Sequence, residues 1–400
     1  MSVHLGVDIG STRTKLILWD ETDSIVGRAS APTPVVRGAV DRRDHEAVWG
    51  VLTGLAAELP PSLRREVVAV AVASVGEEIV LLSEEGRSLR PTPCWYTLSP
   101  LHTDGDSVRR ILSWQLFADL RAAASETLSD AASFTDLGSG ITMRLAGLPA
   151  AEAVMDRSHA SRTGLLTPDG DWDADQLRAS GAALVTAPPR LVESGAQVGV
   201  IAPDVAEAWG LPHGVRIHAG GHDHFCGALA AGVRRAGDVF VSVGTSESIV
   251  QLIDRARLRT IEDPGEHGFY VVGGLGYLHR SQPSGREIAG LLETHRGPDI
   301  ADLYAEIAGS GGASISPAAT ALDAALRRQA QSSAELVAVL TRTSGVPARR
   351  IVIGGVPVTS PHWRELRRRA LDGEVEFIYE PELAGTGAAM LAATTTENER

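Results

Sequence analysis

The 400 residues, 44% hydrophobic and 22% charged, predict two or three globular domains and exclude whole-chain disorder. A net charge of −13 gains nothing from nucleic-acid phosphates or an anionic membrane, so neither is expected as a partner. Lys15 is the one lysine among 37 basic side chains; this excludes a Walker A loop and the protein-kinase lysine set, and leaves Lys15 as the sole candidate for a Schiff-base amine.

In chain order, Gly6 to Asp20 (GVDIGSTRTKLILWD) predicts a strand, a tight turn at Gly10, Ser11 and Thr12, and a second strand. His45–Glu58 predicts a helix, and Arg65 to Ser83 holds two apolar strands around Gly76-Glu77-Glu78. Ser107–Ser125 and Ala174–Ala183 predict helices, with a turn-rich loop over Gly164 to Asp173. Phe240 to Asp254 (FVSVGTSESIVQLID) then repeats the first hairpin position by position. Gly10 matches Gly244, Ser11 matches Thr245, Thr12 matches Ser246, Thr14 matches Ser248 and Asp20 matches Asp254. Arg286–Glu293 and Ser316–Ser344 read as mostly helical, and Ile351–Ile353 as a buried strand running into Gly354-Gly355. His362–Leu371 and the small-residue run Gly385–Ala393 predict helices before a polar tail. The duplicated hairpin predicts two related domains, 1–233 and 234–400, with the boundary between Ala230 and Asp238. No run of about 18 apolar residues predicts a membrane span. The N-terminus lacks a signal-peptide layout, and a cytoplasmic location is expected.

Three clusters carry potential chemistry. In the turn after Asp8, Gly10 lets the backbone approach an anion, and the hydroxyls of Ser11, Thr12 and Thr14 with successive N–H groups can donate to phosphate. Asp8 at the strand end suits Mg²⁺, and the alternative is an ordinary polar hairpin. The second copy, Gly244-Thr245-Ser246, favours a nucleotide clamp. The second cluster, Gly220-Gly221-His222-Asp223-His224, places a carboxylate at the end of an apolar run, where Asp223 can take a proton from a hydroxyl. Metal ligation with Cys226 and a purely structural turn stay open there. The third cluster pairs Gly354-Gly355-Val356-Pro357 with Gly385-Thr386-Gly387. It can form a flat slot for adenine, but helix–sheet packing that needs small residues explains it better. A Rossmann reading fails, because no GxGxxG follows the first strand.

In this order the pieces resemble the FGGY carbohydrate kinases of the actin/hexokinase/Hsp70 superfamily. The resemblance rests on GVDIGSTRTKLILWD, VASVGEEIVLL with PTPCWY, DRSHASRTGLLTPDGDWD, AGGHDHFCGALAAGV, GDVFVSVGTSES, and GGVPVTSPHWRELRRRAL with ELAGTGAAMLAA. It implies an α/β fold: two RNase H-like domains with mixed sheets flanked by helices and a cleft between them. It implies ATP and Mg²⁺ as cofactors, with Asp223 as general base and Asp8 organising Mg²⁺. Gly10 to Thr14 and Gly244 to Ser246 would contact phosphates, and Gly354 and Gly355 the adenosine. Glu77 and Trp95 would contact a sugar, ketose, polyol or cyclitol acceptor, with His222 and His224 as further contacts. An acceptor already carrying a phosphate is disfavoured beside Glu77 and Glu78. Lys15 in the first hairpin can reach phosphates or pair with an acidic neighbour, or its place there is chance. A homodimer stays open.

The chain departs from the family pattern after Trp95, where Tyr96-Thr97-Leu98-Ser99 stands instead of an acidic residue and an Arg, and at Leu101–Ser133 and Ile300–Pro317, which are short. Two rival readings follow. One is a sugar- or nucleotide-binding regulator with lost catalysis on the same fold. The other is a metal-dependent hydrolase built on His222, Asp223 and His224.

Overall fold

The first strand, β1 (Val3–Ile9), is buried along its whole length. That is the signature of a central strand covered on both faces, not of an alternating surface strand. In the computed structural model, which describes residues 2–97 and 112–394 apart from 21, 23, 296 and 311–313, β1 pairs antiparallel with β2 (Arg13–Asp20) on one side. β3 (Ser24–Pro32) continues the meander. Helix α1 (His45–Glu58) crosses over, capped by the Asp44 carboxylate, which accepts the Glu46 N–H at 3.0 Å. It leads to β4 (Val67–Ser74), which runs parallel to β1 on its other side. A small antiparallel pair, β5 (Ile79–Leu82) and β6 (Ser133–Asp136), follows, and then α2 (Leu137–Ala146). β7 (Gln197–Val200) and β8 (Arg216–His222) complete a sheet in the order β7-β8-β4-β1-β2-β3. The chain turns directly from β8 into α3 (Asp223–Ala230). One core joins the sheet's apolar face to α1 and α2 through Leu5, Val7, Leu52, Leu55, Val70 and Ile141.

The pattern is then repeated. β9 (Asp238–Val243) and β10 (Ser246–Asp254) form the second hairpin. β12 (Leu275–Pro283) pairs antiparallel with β10, and β13 (Arg350–Gly354) lies parallel to β9, followed by β14 (Glu374–Ile378). With β11 (Glu266–Phe269) at the edge, the order is β11-β12-β10-β9-β13-β14. The series β12-β10-β9-β13-β14 thus has the topology of β3-β2-β1-β4-β8. Both are RNase H-like mixed sheets, and the hairpin repeat in the sequence is a repeat of the fold. Helices α4 (Gly285–Thr294), α5 (Pro317–Ser344) and α6 (Pro361–Ala370) belong to this second unit. A helix at Ile300–Gly309 was not expected from the sequence. The start of the expected helix at Ser107–Ser125, and most of the polar tail, fall outside the described residues.

The first compact unit runs to Ala230 and regains residues 268–273 and everything from Glu382 onward; the second holds Ala231–His267 and Gly274–Pro381. A single cut with 234–400 as one block therefore does not follow the packing. The last helix, α7 (Leu383–Ala392), lies in the first unit, against β1 and α3. The reason is steric. A Cβ on Gly6 would sit 1.8 Å from the Gly385 carbonyl oxygen, and one on Gly387 would sit 1.9 Å from that of Cys226. Only backbone fits at these crossings. Helix packing, not an adenine slot, accounts for Gly385-Thr386-Gly387.

Gly387→Ala should therefore destabilise the protein by at least about 2 kcal/mol in urea unfolding. Gly50→Ala, in α1 with open space around its Cβ position, should stabilise it by roughly 0.5–1 kcal/mol.

Candidate active site

The C-terminal ends of β1 and β8 carry two carboxylates of one cluster in the first unit. Asp8 is buried near the end of β1, and its register partner across the hairpin is Lys15. Lys15 Nζ lies 3.6 Å from Asp8 Oδ2 and 3.1 Å from Oε2 of Glu382, which precedes α7. Asp223 follows β8 at the start of α3 and is close enough to act electrostatically on Asp8. Burial pushes the Asp8 carboxyl up; Lys15 opposes this, Asp223 and Glu382 add to it, and the result is about 7. Lys15 thus lies between Asp8 and Glu382, Glu382 also meets the exposed Arg28 with Nη1 3.9 Å from Oε1, and Asp223 adds a further carboxylate near Asp8. Hard oxygen donors with surplus negative charge fit a divalent cation such as Mg²⁺. Glu382 was not picked out from the sequence; it lies more than 360 residues from Lys15, and no local signal marks it.

The Asp223 carboxyl, partly exposed at the start of α3, is held low. Burial alone would raise its carboxyl, but His222 Nδ1 at 2.9 Å from Oδ1 and the His224 N–H at 2.6 Å from the same oxygen hold it below the usual range. Both contacts fall on Oδ1. The three ligand-type side chains that converge among the described residues are Asp136, Asp156 and His159, not His222, Asp223, His224 and Cys226. Cys226 is fully buried against Gly387.

The first turn is only partly as expected. Gly10 N–H closes it on the Arg13 carbonyl at 3.0 Å. Ser11 and Thr12 stay accessible. Thr14 does not: it is fully buried, and its hydroxyl lies 3.0 Å from that of Thr33, which donates to the Gly10 carbonyl at 2.9 Å. Thr14 fixes the turn from within and is corrected from phosphate donor to internal brace. Trp95, 40% exposed, reaches the same turn, with Nε1 donating to Ser11 Oγ at 3.0 Å.

Glu77 has φ +64°, rare for a residue with a side chain. Burial would raise its carboxyl, but Arg162, with Nε 2.6 Å from Oε1, and nearby His222 hold it low. Glu78 is fully buried on Arg43, whose Nε and Nη2 donate at 2.6 and 3.2 Å. Each carboxylate is neutralised by its own guanidinium. The expectation that Glu77 and Glu78 repel a phosphorylated acceptor therefore loses its basis.

In the second unit, Gly244, Thr245 and Ser246 form an exposed turn. The Gly285 and Arg286 N–H groups at the start of α4 donate to the Gly244 and Thr245 carbonyls, each at 3.0 Å. Gly355 has φ +127°, and a Cβ there would lie 2.1 Å from the Val243 oxygen, so the end of β13 presses on the mouth of this turn. Gly354 is buried beside it, with ordinary space around its Cβ position. Glu247, the next residue after the turn, is anchored by a fully buried bidentate pair with Arg367, at 2.9 and 2.7 Å.

Residues 112–230 match the model of the FGGY family of carbohydrate kinases, N-terminal domain. The xylulose kinase of Bacillus subtilis is 24% identical over 271 residues, 62% of this chain and 53% of that protein. The L-fuculokinase of Salmonella typhi is 27% identical over 62% of this chain and 56% of its own. In structure, xylulose kinase from Rhodospirillum rubrum superposes with TM-score 0.84 at 22% identity, over 98% of this chain and 90% of that one. Plasmodium falciparum glycerol kinase with ADP gives 0.81 at 14% identity, over 98% and 89%. The chain is similar in sequence and in fold to FGGY carbohydrate kinases. It aligns with about half the length of the curated relatives it matches. The FGGY match lies wholly within the first unit and includes Asp136, Asp156, His159 and His222–His224. Among the described residues, no helix is long and apolar enough to cross a membrane.

Within that FGGY segment, His159 was missed by the sequence reading. It is buried with Asp136 and Asp156. Burial alone would lower the imidazole, but the two carboxylates outweigh it and raise it from 6.5 to about 10. The stabilisation by His159 is then complete below about pH 6.5 and is lost as pH rises through about 10. Between pH 7 and 10 the unfolding free energy of the wild type should fall more steeply than that of His159→Gln, as measured by urea titration at each pH.

Proposed function

We propose that the protein is an ATP-dependent kinase for a hydroxyl of a sugar, ketose, polyol or cyclitol. The reading rests on one observation above all. Asp223, held low by donors on Oδ1 and partly exposed, lies near the buried Asp8, and it sits in the segment that matches a carbohydrate-kinase domain. In this reading Asp223 Oδ2 orients the acceptor hydroxyl and takes its proton. The acceptor oxygen forms a bond to the γ-phosphorus, and the bond from that phosphorus to the β-bridging oxygen breaks to leave ADP. Such a transition state is loose, so positioning and charge neutralisation do most of the work. Asp8, with Asp223 and Glu382 nearby, would hold Mg²⁺, which neutralises phosphate charge when bound. In the first unit Gly10, Ser11 and Thr12 offer N–H and hydroxyl donors suited to phosphate, and in the second unit Gly244, Thr245 and Ser246 offer the same kind of donors. Lys15 adds a positive charge already shared between Asp8 and Glu382. Gly354 and Gly355 would lie at the adenosine. Glu77, Trp95, His222 and His224 would contact the acceptor; carboxylate and imidazole groups suit a neutral, hydroxyl-rich ligand.

The test is ATP consumption over a mixed pool of ketoses, polyols and cyclitols. Transfer to at least one acceptor is expected. Asp223→Asn should lower that transfer by roughly 10²–10⁴-fold and leave ATP affinity unchanged. An Asn variant that keeps most turnover would remove Asp223 from the role of base. Mg-ATP binding without phosphorylation of any acceptor would point to a binding regulator instead.

A further inference from the structure

A backbone turn that receives an anion must present N–H groups and keep its carbonyl oxygens turned away. In the first unit one residue outside the turn closes two of those oxygens. The Thr33 hydroxyl donates to the Gly10 carbonyl at 2.9 Å, and the Thr33 N–H donates to the Thr12 carbonyl at 3.0 Å. A hydroxyl carries one proton, so in the 3.0 Å contact between the two threonine hydroxyls Thr14 is the donor. Thr14 and Thr33, both buried, thus form an oriented chain that ends on the Gly10 oxygen. Thr33 stands between Pro32 and Pro34, which restrict the backbone on either side of it. The consequence lies in the peptide plane. The C=O of a trans peptide and the N–H that follows it point in opposite directions. With the Gly10 oxygen turned onto Thr33, the Ser11 N–H points away from Thr33.

The second unit reaches the same state by other means. Ser246, the counterpart of Thr12, is paired with Pro283, which has no N–H to give. The Gly285 and Arg286 N–H groups close the Gly244 and Thr245 carbonyls instead, each at 3.0 Å. A Cβ on Gly285 would lie 2.6 Å from the Gly244 oxygen, so the approach needs glycine. By the same planarity the N–H groups of Thr245 and Ser246 point away from α4. The two turns differ in sequence and in the donors that close them. They agree in which glycine oxygen is closed, that of Gly10 and that of Gly244.

We infer that Thr33 is a positioning residue for the nucleotide phosphates: its hydroxyl locks the Gly10–Ser11 peptide with the oxygen inward and the Ser11 N–H outward. This rests on the reading of the first turn as a phosphate site. Without that hydroxyl the Gly10 oxygen loses its partner, and a peptide that begins at glycine turns easily. Its oxygen then faces the ligand, where it repels phosphate and withdraws the Ser11 N–H. Thr33 acts through Gly10.

Calorimetric titration of the full chain with Mg-ATP, and separately with adenosine, which carries no phosphate, tests this. Thr33→Val keeps the side-chain shape and the backbone N–H and removes only the hydroxyl. Its dissociation constant for Mg-ATP should rise about 10-fold or more, while that for adenosine stays at the wild-type value. Thr33→Ser keeps the hydroxyl and should bind Mg-ATP as the wild type does. Thr33→Cys, a weaker donor, should fall between Ser and Val. The Ser and Cys variants carry the comparison if the Val variant does not fold. Wild-type Mg-ATP affinity in Thr33→Val, an equal loss for adenosine, or a Cys variant that binds Mg-ATP as tightly as the Ser variant would overturn the inference. A wild-type chain that binds no Mg-ATP sinks the phosphate site itself, so the two failures are separable.

Discussion

The first unit depends on a backbone-to-backbone crossing. Helix α7, at the far end of the chain, lies so close to β1 and α3 that Gly6 and Gly387 leave no room for a methyl group. Close packing of this kind is rigid, because interiors at this density do not give way smoothly. Its consequence is chemical. The helix delivers Glu382 to Lys15, while the same strand and helix carry Asp8 and Asp223. The acidic cluster is therefore held by parts of the chain near its start, middle and end, and it cannot shift without disturbing that crossing.

Charge is handled in two different ways across the molecule. Glu78 with Arg43, Glu77 with Arg162, and Glu247 with Arg367 are buried carboxylates, each given one guanidinium. Breaking such a pair leaves an isolated buried ion, so these pairs fix local geometry more than they add stability. At Asp8 the balance is different: Lys15 is shared between Asp8 and Glu382, Arg28 meets Glu382 from the exposed side, and Asp223 lies near Asp8. The Asp136–His159–Asp156 group is a third arrangement, in which two carboxylates hold one imidazolium. Balanced pairs close a structure.

Much of the fold was legible in the sequence, for a physical reason. A hairpin is local: apolar strands flanking a Gly-hydroxyl turn specify it, and its repetition at Gly244 announced a repeated sheet. Helix α1 was read over its full span because its apolar spacing and Asp44 cap are both local signals. Thr14 went wrong because a hydroxyl in a strand looks the same whether it faces solvent or Thr33, and only the third strand decides. The expected repulsion of a phosphorylated acceptor by Glu77 and Glu78 lost its basis because their guanidinium partners lie 85 and 35 residues away. His159 was invisible because nothing near it in sequence says that Asp136 folds back onto it.

The sequence by itself determined the two related halves, the positions of both turns and the carboxylates Asp8 and Asp223, since each is written in short-range pattern and composition. Only the packing of distant segments settled which unit owns the last helix, which hydroxyls face outward, which carboxylates are already paired and which histidine lies between two buried carboxylates. Those outcomes turn on contacts between distant segments and on burial. Small residues announce that something packs closely without saying what, and an ionisable side chain takes its state from neighbours the local sequence does not name.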